Sequence, residues 1–318
     1  MKTYPQFLRE KFPSSLFRPQ SFASAAFVAG MVFFPVTHSK AATTIYRTQV
    51  LSYNPVVYYE FDETSGTTAA NSATTGVTYQ GTLNTTGGAV SVGQASFPQG
   101  GTAYDFGGGF VGSASALTSS LASWTVEVWV NYDSAKTSAS NFLSNDQGGW
   151  NDDVLFGIGA EGGVHGVPAG NVGVVHQDNA NTLRDSVASP LTAGQWYHVV
   201  MTGENGTGPG TSTLQLFVDG VLVDSDSGIL GDVTFNGDGG FGTAPHLTIG
   251  AVRNDDTSPA YRPYDGLLDE LAIYDRVLTP SEIAANASLG VIPEPASALL
   301  LSVGGLMLMR RRARGTTV

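Results

Sequence analysis

No cysteine occurs anywhere in the chain. That excludes a disulfide scaffold and thiolate metal sites, so the fold must be held by a packed core. Apolar residues make up 42% of the 318, enough to build one and too many for a disordered chain. Charge is scarce, at 13%, and positive charge is the scarcer sign. Between Ala42 and Pro293 stand only six basic residues (Arg47, Lys136, Arg184, Arg253, Arg262 and Arg276) against 25 acidic ones, a net charge near −19, where the whole chain carries −12. Such a field repels nucleic acid and anionic lipid and favours divalent cations and neutral partners. Familiar catalytic signatures are also missing. Histidines never pair at metal-ligand spacing, no Gly-x-Ser-x-Gly elbow occurs, and the Gly-rich GDGGFG at 237–242 lacks the Lys and following helix of a phosphate loop.

What is present is a succession of short runs of Val, Ile, Tyr, Trp, Phe and Thr between Gly, Asn, Asp and Ser clusters, without a long helical period. This reads as all-β, a sandwich or barrel. Strands are expected at 56–61, 102–106, 124–131, 153–159, 171–176, 196–202, 213–219, 246–251 and 267–274. In WTVEVWVN, strict alternation puts Trp124, Val126, Val128 and Val130 on one face and Thr125, Glu127, Trp129 and Asn131 on the other. LQLFVDGVLVD should be a tight hairpin through Asp219-Gly220, with Gly accepting the positive φ of a type I′ turn. LTPSEIAANA reads as a capping box, Thr279 as N-cap, Pro280 at the first helical position and Glu282 three residues after the cap, opening one short helix. The Gly/Ser/Thr stretches at 64–88 and 204–212 read as loops.

The two ends differ from this body. Lys2, Arg9, Lys11 and Arg18 precede the apolar stretch 22–36, and Ser39 and Ala41 follow it as small residues at cleavage positions, the pattern of a secretory signal peptide over 1–41. At the other end, Pro293-Glu294-Pro295 is followed by an apolar run from Ala296 to Met309 and by Arg310, Arg311, Arg312 and Arg314. The run is short for a bilayer crossing, and the arginines behind it would hold topology. Those three parts in that order resemble the PEP-CTERM sorting signal of Gram-negative bacteria. The resemblance implies a transmembrane sorting helix over 292–318, removal by an exosortase-type membrane protease, and delivery to the cell surface or extracellular matrix.

YYEFDETSGTTAANSA, WTVEVWVN, GQWYHVVMTGENG, TLQLFVDG and YDGLLDELAIYDRVLTPSEIAA come in the order and spacing of the laminin-G-like domain of the concanavalin A-like lectin/glucanase superfamily. The resemblance implies a two-sheet antiparallel jelly-roll sandwich over 42–291, with 56–61 and 267–274 as neighbouring strands. It fits less clearly between 133 and 192, where binding loops would lie. It also implies a structural Ca²⁺ near the first loop and the last strand, nominating Asp62, Asn71 and Asp269. On their own chemistry, Glu60 and Asp62 alternate on a strand and would share a face about 7 Å apart, hard oxygen ligands suited to Ca²⁺. Aromatics in polar loops are the candidates for stacking on a sugar: Trp150 in NDQGGWNDD, and Tyr261 and Tyr264 in DDTSPAYRPYDG.

Catalysis by the glucanase route needs carboxylates in phase along one strand, and Glu60-Phe61-Asp62-Glu63 and Asp269-Glu270 are out of phase. His198 reads as a cross-sheet hydrogen-bonded core residue. The expectation is a non-enzymatic surface or matrix protein that binds a glycan, such as an exopolysaccharide, or another matrix component. A polysaccharide-acting hydrolase and a purely architectural interaction module are the alternatives.

Overall fold

The computed structural model describes residues 40–96, 101–113, 117, 121–134, 140–144, 154–159, 167–177, 183–229, 233–235, 247–251 and 262–290. The chain opens with helix α1 (Lys40–Ser52), then β1 (Val57–Tyr59), β2 (Thr68–Ala69), β3 (Gly81–Asn84), β4 (Ala89–Ala95), β5 (Thr102–Gly107) and β6 (Phe110–Ser113). It continues with β7 (Ser123–Tyr132), β8 (Ser140–Ser144), β9 (Val154–Ile158), β10 (Asn171–Gln177) and β11 (Leu183–Pro190). Last come β12 (Tyr197–Glu204), β13 (Ser212–Val218), β14 (Val221–Ile229), β15 (Thr248–Ile249), β16 (Asp265–Tyr274) and helix α2 (Pro280–Gly290).

These strands form two antiparallel sheets. One runs β14-β13-β12-β7-β16-β5-β4, with β1 also paired to β16, and the other runs β11-β10-β9-β8-β15-β6-β3-β2. The fold is thus an all-β, two-sheet antiparallel sandwich. The inner faces meet in one core that includes Trp124, Val126, Val128 and Val130 of β7, Phe142 of β8 and Phe156 of β9. Trp124 is wedged edge-on against Phe156 at 5.4 Å, and its indole N–H donates to the Val233 carbonyl at 2.6 Å. That bond removes the one polar liability of burying a Trp. Gly203 lies directly across from Trp124 on β12, where an added Cβ would overlap the indole ring.

The outward face of β7 is also covered. Trp129 joins Tyr46 and Val50 of α1, Ile283 of α2, and Val200, Phe217 and Ala272 of the sheet in a second apolar cluster, with Leu289 of α2 packed against it. Helix α2 begins at the expected capping box: the Thr279 N–H donates to Glu282 Oε2 at 2.7 Å and the Glu282 N–H to Thr279 Oγ1 at 3.3 Å. The hairpin turn has positive φ at both Asp219 (49°) and Gly220 (80°), as type I′ geometry requires.

Several local expectations are corrected. Helix α1 falls where no helix was expected, and its stop is Asn54 at φ 56° followed by Pro55. The 64–88 stretch is not a loop throughout, since it carries β2, a 3₁₀ turn (Gly76–Tyr79) and β3. Within 133–192 the expected strands 153–159 and 171–176 are present as β9 and β10, and β8 and β11, which were not expected, join them to build one end of the second sheet. Among the described residues no helix is long and apolar enough to cross a membrane. The segments read as a signal peptide and a sorting helix, including Pro293, Glu294, Pro295, Arg310, Arg311, Arg312 and Arg314, lie outside the described residues apart from Lys40 and Ala41.

Candidate functional site

Strand β16 changes partner halfway along one edge. Residues 265–268 pair with β5 and residues 271–273 with β1, while the register against β7 slips between Asp269 and Ala272. One extra residue is accommodated as a bulge, with Glu270 at φ 53°. The bulge lets Leu268 and Leu271 both reach the core, and it leaves two consecutive acids, Asp269 and Glu270, each 2% exposed. Simple alternation would have sent them to opposite faces.

Their hydrogen bonding is sparse. Asp269 Oδ2 accepts from the Ser96 hydroxyl, and Asp269 Oδ1 has no partner. Glu270 Oε2 accepts from the Tyr58 hydroxyl. Burial pushes both carboxyls well above the usual carboxylate range. The nearby charge of Asp62 adds to this at Asp269, and that of Asp269 adds to it at Glu270. Asp62 is also raised, by burial first and by Glu60 and Glu63, although its Oδ1 accepts the Thr102 N–H at 2.8 Å.

The strand alternation expected for Glu60 and Asp62 does not hold. Strand β1 ends at Tyr59, and Phe61 takes φ 52°. Glu60 turns to Arg47 of α1 at 2.9 Å and to the Ser72 hydroxyl. Glu63 secures the loop instead, accepting the Ala70 N–H at 2.7 Å and the Tyr104 hydroxyl at 2.8 Å.

As a test of the calcium set, Asp269 offers Oδ1 as an orphaned buried acceptor and the charge of Asp62 acts on the Asp269 carboxyl, so these two are the carboxyls that would hold the ion. Asn71 does not fit. Its Oδ1 accepts from the N–H groups of Tyr58 (2.8 Å) and Ala73 (3.2 Å), and its Nδ2 donates to Thr75 Oγ1 (2.8 Å) and the Gly76 carbonyl (2.9 Å). All four hydrogen-bonding positions of the amide are filled, so Asn71 is a turn residue. Among the described residues no group of three or more His, Cys, Asp or Glu side chains converges as a metal site.

Of the sugar-stacking candidates, Tyr264 is corrected. It is fully buried, edge-on to Phe142 at 6.2 Å and Phe106 at 6.4 Å, and has no face free for a ligand. Trp150 and Tyr261 lie outside the described residues.

A second buried acid behaves in the opposite way. Glu127, at mid-strand in β7, is 0% exposed. Its Oε1 accepts from Tyr46 Oη (2.9 Å), Asn286 Nδ2 (2.8 Å) and, with the ring's proton on Nε2, from His198 (2.8 Å). Its Oε2 accepts from Tyr274 Oη (2.8 Å) and again from Asn286 Nδ2 (3.0 Å). Burial alone would raise this carboxyl. The His198 bond and charge, with the tyrosine hydroxyls, outweigh it and hold Glu127 below the usual value. The reading of His198 as a cross-sheet core residue holds, while the donors Tyr46 and Asn286 carried no motif of their own.

A laminin-G-type family profile, that of the concanavalin A-like lectin/glucanases superfamily, matches residues 106–284, more than half of the chain. Comparison with curated proteins finds no match. Among solved structures, domain 4 of AbnA, a GH43 extracellular arabinanase from Geobacillus stearothermophilus in complex with arabinotriose, is 22% identical, with 74% of this chain and 98% of that one covered and a TM-score of 0.49. The binding domain of botulinum neurotoxin serotype G is 10% identical, with 74% of this chain covered and a TM-score of 0.51. The match takes in 51% of that chain, so this protein spans about half its length and shares its fold. With most of both sheets inside the matched span and the sandwich topology in place, the chain belongs to the concanavalin A-like lectin/glucanases superfamily.

Proposed function

We propose that this is an exported bacterial cell-surface or extracellular-matrix protein whose jelly-roll domain binds a glycan or another matrix component without hydrolysing it. Membership of a lectin/glucanase superfamily carries the reading, and the condition of the acids supports the non-catalytic side of it. Glu127 is sealed beneath two helices with both oxygens engaged, and Glu60 is held by Arg47 and Ser72. Neither is free to donate a proton to a glycosidic oxygen or to attack a sugar. The export reading rests on the two ends of the sequence, with exosortase-type processing at Pro293-Glu294-Pro295 before the apolar run and arginines.

Calcium enters this reading as a structural ion held by Asp62 and Asp269. When bound, it would supply positive charge to carboxyls that burial otherwise disfavours as anions. Trp150 and Tyr261 remain the residues to test for sugar stacking.

Glycan-array binding by the mature protein, with Ca²⁺ and again with chelator, tests the function. Selective binding lost in Trp150→Ala or Tyr261→Ala supports it. Silence in both conditions from a folded sample would shift the assignment to an architectural role, and release of reducing ends from a bound polysaccharide would make the protein a hydrolase.

A further inference from the structure

The donors to Glu127 of β7 come from four other elements. The sheet supplies one donor to each oxygen, His198 of β12 to Oε1 and Tyr274 of β16 to Oε2. The other donors arrive from the two ends of the domain, Tyr46 on α1 and Asn286 on α2. Both residues fall outside the matched family span of 106–284. Trp129 adds a further link, its Nε1–H donating to Tyr46 Oη at 3.1 Å, so that a chain of bonds runs from indole to phenol to carboxylate.

The orientation of Asn286 shows what organises the cluster. Its Nδ2 makes both bonds to Glu127, and its Oδ1 is buried without a donor; Nδ1 of His198 is likewise buried without a hydrogen-bond partner. An unsatisfied buried acceptor is costly and is tolerated only where the other end of the group meets a larger demand. A sealed carboxylate is such a demand, because losing one of its donors leaves a charge underpaired in low dielectric.

We propose that Glu127 is a latch that makes the seating of α1 and α2 mutually dependent, locking both ends of the domain onto one face of the sheet. With α1 unseated, Glu127 loses Tyr46 and its cover, and the site that should hold Asn286 opens to water. With α2 unseated, the same happens to Tyr46. On the export reading, on which this consequence rests, the apolar segment 22–36 ends three residues before α1 begins at Lys40. The latch requires that, if release of that segment is what allows α1 to seat, α2 seats with it. The latch itself is a property of the folded domain and stands or falls separately from that reading.

The test is a double-mutant cycle of Tyr46→Phe and Asn286→Ala, read by chemical denaturation of the full chain in mild detergent. Val50→Ala with Ile283→Ala, apolar residues of the same two helices, is the control. The latch predicts that the combined effect of Tyr46→Phe and Asn286→Ala departs from the product of the single effects by about fivefold or more in the unfolding constant, and that this coupling falls within twofold of additivity in a Glu127→Gln background. Coupling that persists in Glu127→Gln would assign it to direct helix-helix contact and overturn the proposal, as would an additive cycle. Should Glu127→Gln fail to fold, amide exchange decides. Tyr46→Phe must speed exchange in α2 by about tenfold or more over a Val50→Ala protein of matched stability, and acceleration confined to α1 refutes the latch.

Discussion

Asp269→Asn should change stability in opposite directions with and without calcium. In chelator, the wild-type domain buries a carboxylate whose Oδ1 has no donor, beside Glu270 and within reach of Asp62. Removing that charge should stabilise by on the order of 1 kcal/mol, which moves the melting temperature of a domain this size up by roughly 2–4 °C. With calcium at a hundredfold excess over Kd, the wild type should gain about 2.7 kcal/mol by mass action, or roughly 5–10 °C. The amide has lost the anionic ligand, so most of that gain should vanish. The two melting curves therefore exchange order: Asp269→Asn melts above the wild type in chelator and below it in calcium. Scanning calorimetry of both proteins under both conditions reads this directly. If calcium leaves the wild type unmoved, the ion has no place here. If Asp269→Asn loses as much in chelator as in calcium, the carboxylate serves only to accept the Ser96 hydroxyl.

Other consequences can be checked with the same material. Gly203→Ala should cost about 1–3 kcal/mol by overpacking, since the Trp124 ring it meets is pinned by its bond to Val233 and cannot step aside; denaturant midpoints read the loss, and a change under 0.5 kcal/mol would show that the indole moves freely. Glu127 has a depressed folded pKa, so its contribution is present above the unfolded carboxyl value and lost as pH falls through the folded one. The difference in unfolding free energy between the wild type and Glu127→Gln should accordingly shrink on acidification, and a difference flat in pH would contradict the buried-anion account. Glu282, held down to about 2 by Arg276, should by the same sign support the start of α2 fully above about 4.5 and lose that support as pH falls through about 2; in Glu282→Gln, amide exchange there should lose that dependence. Val223→Lys, on the exposed apolar start of edge strand β14, should leave stability within about 0.5 kcal/mol and reduce association at high concentration by light scattering.

Where local sequence determines geometry, the expectations hold. The alternation of WTVEVWVN, the Asp219-Gly220 turn and the Thr279 capping box all appear as read, because each is enforced by backbone chemistry within a few residues. All nine expected strands are present, though 56–61 shortens to Val57–Tyr59 and 246–251 to Thr248–Ile249. What was missed is mostly short or made by tertiary contact, apart from the longer strands β4 (seven residues) and β11 (eight residues). Strands β2, β3 and β6 have two to four residues each and owe their conformation to partners distant in sequence. Helix α1, KAATTIYRTQVLS, has weak amphipathicity; Tyr46 and Val50 become a buried stripe only because Trp129 and Glu127 await them on the sheet. Asn54-Pro55 was the one legible sign of its end.

The site shows the same boundary between local and distant causes. Glu127 and the Asp269-Glu270 pair look alike in sequence, acids set within apolar strands, and all three are almost wholly buried. Yet one carboxyl is depressed and the other two are raised. The difference lies in donors: Glu127 gathers hydrogen bonds from four residues separated from it by 71 to 159 positions, whereas Asp269 has only a serine hydroxyl and Glu270 a tyrosine hydroxyl from side chains. No window of sequence around an acid contains that information. It does contain the cause of the second case, because a doublet of acids in an otherwise apolar strand cannot alternate into two environments once a bulge gives the core to Leu268 and Leu271 on either side and buries both acids between them. A bulge that buries two underpaired carboxylates is costly unless something positive completes it, which is why this corner, and not the well-satisfied Glu127, is where a cation would be sought.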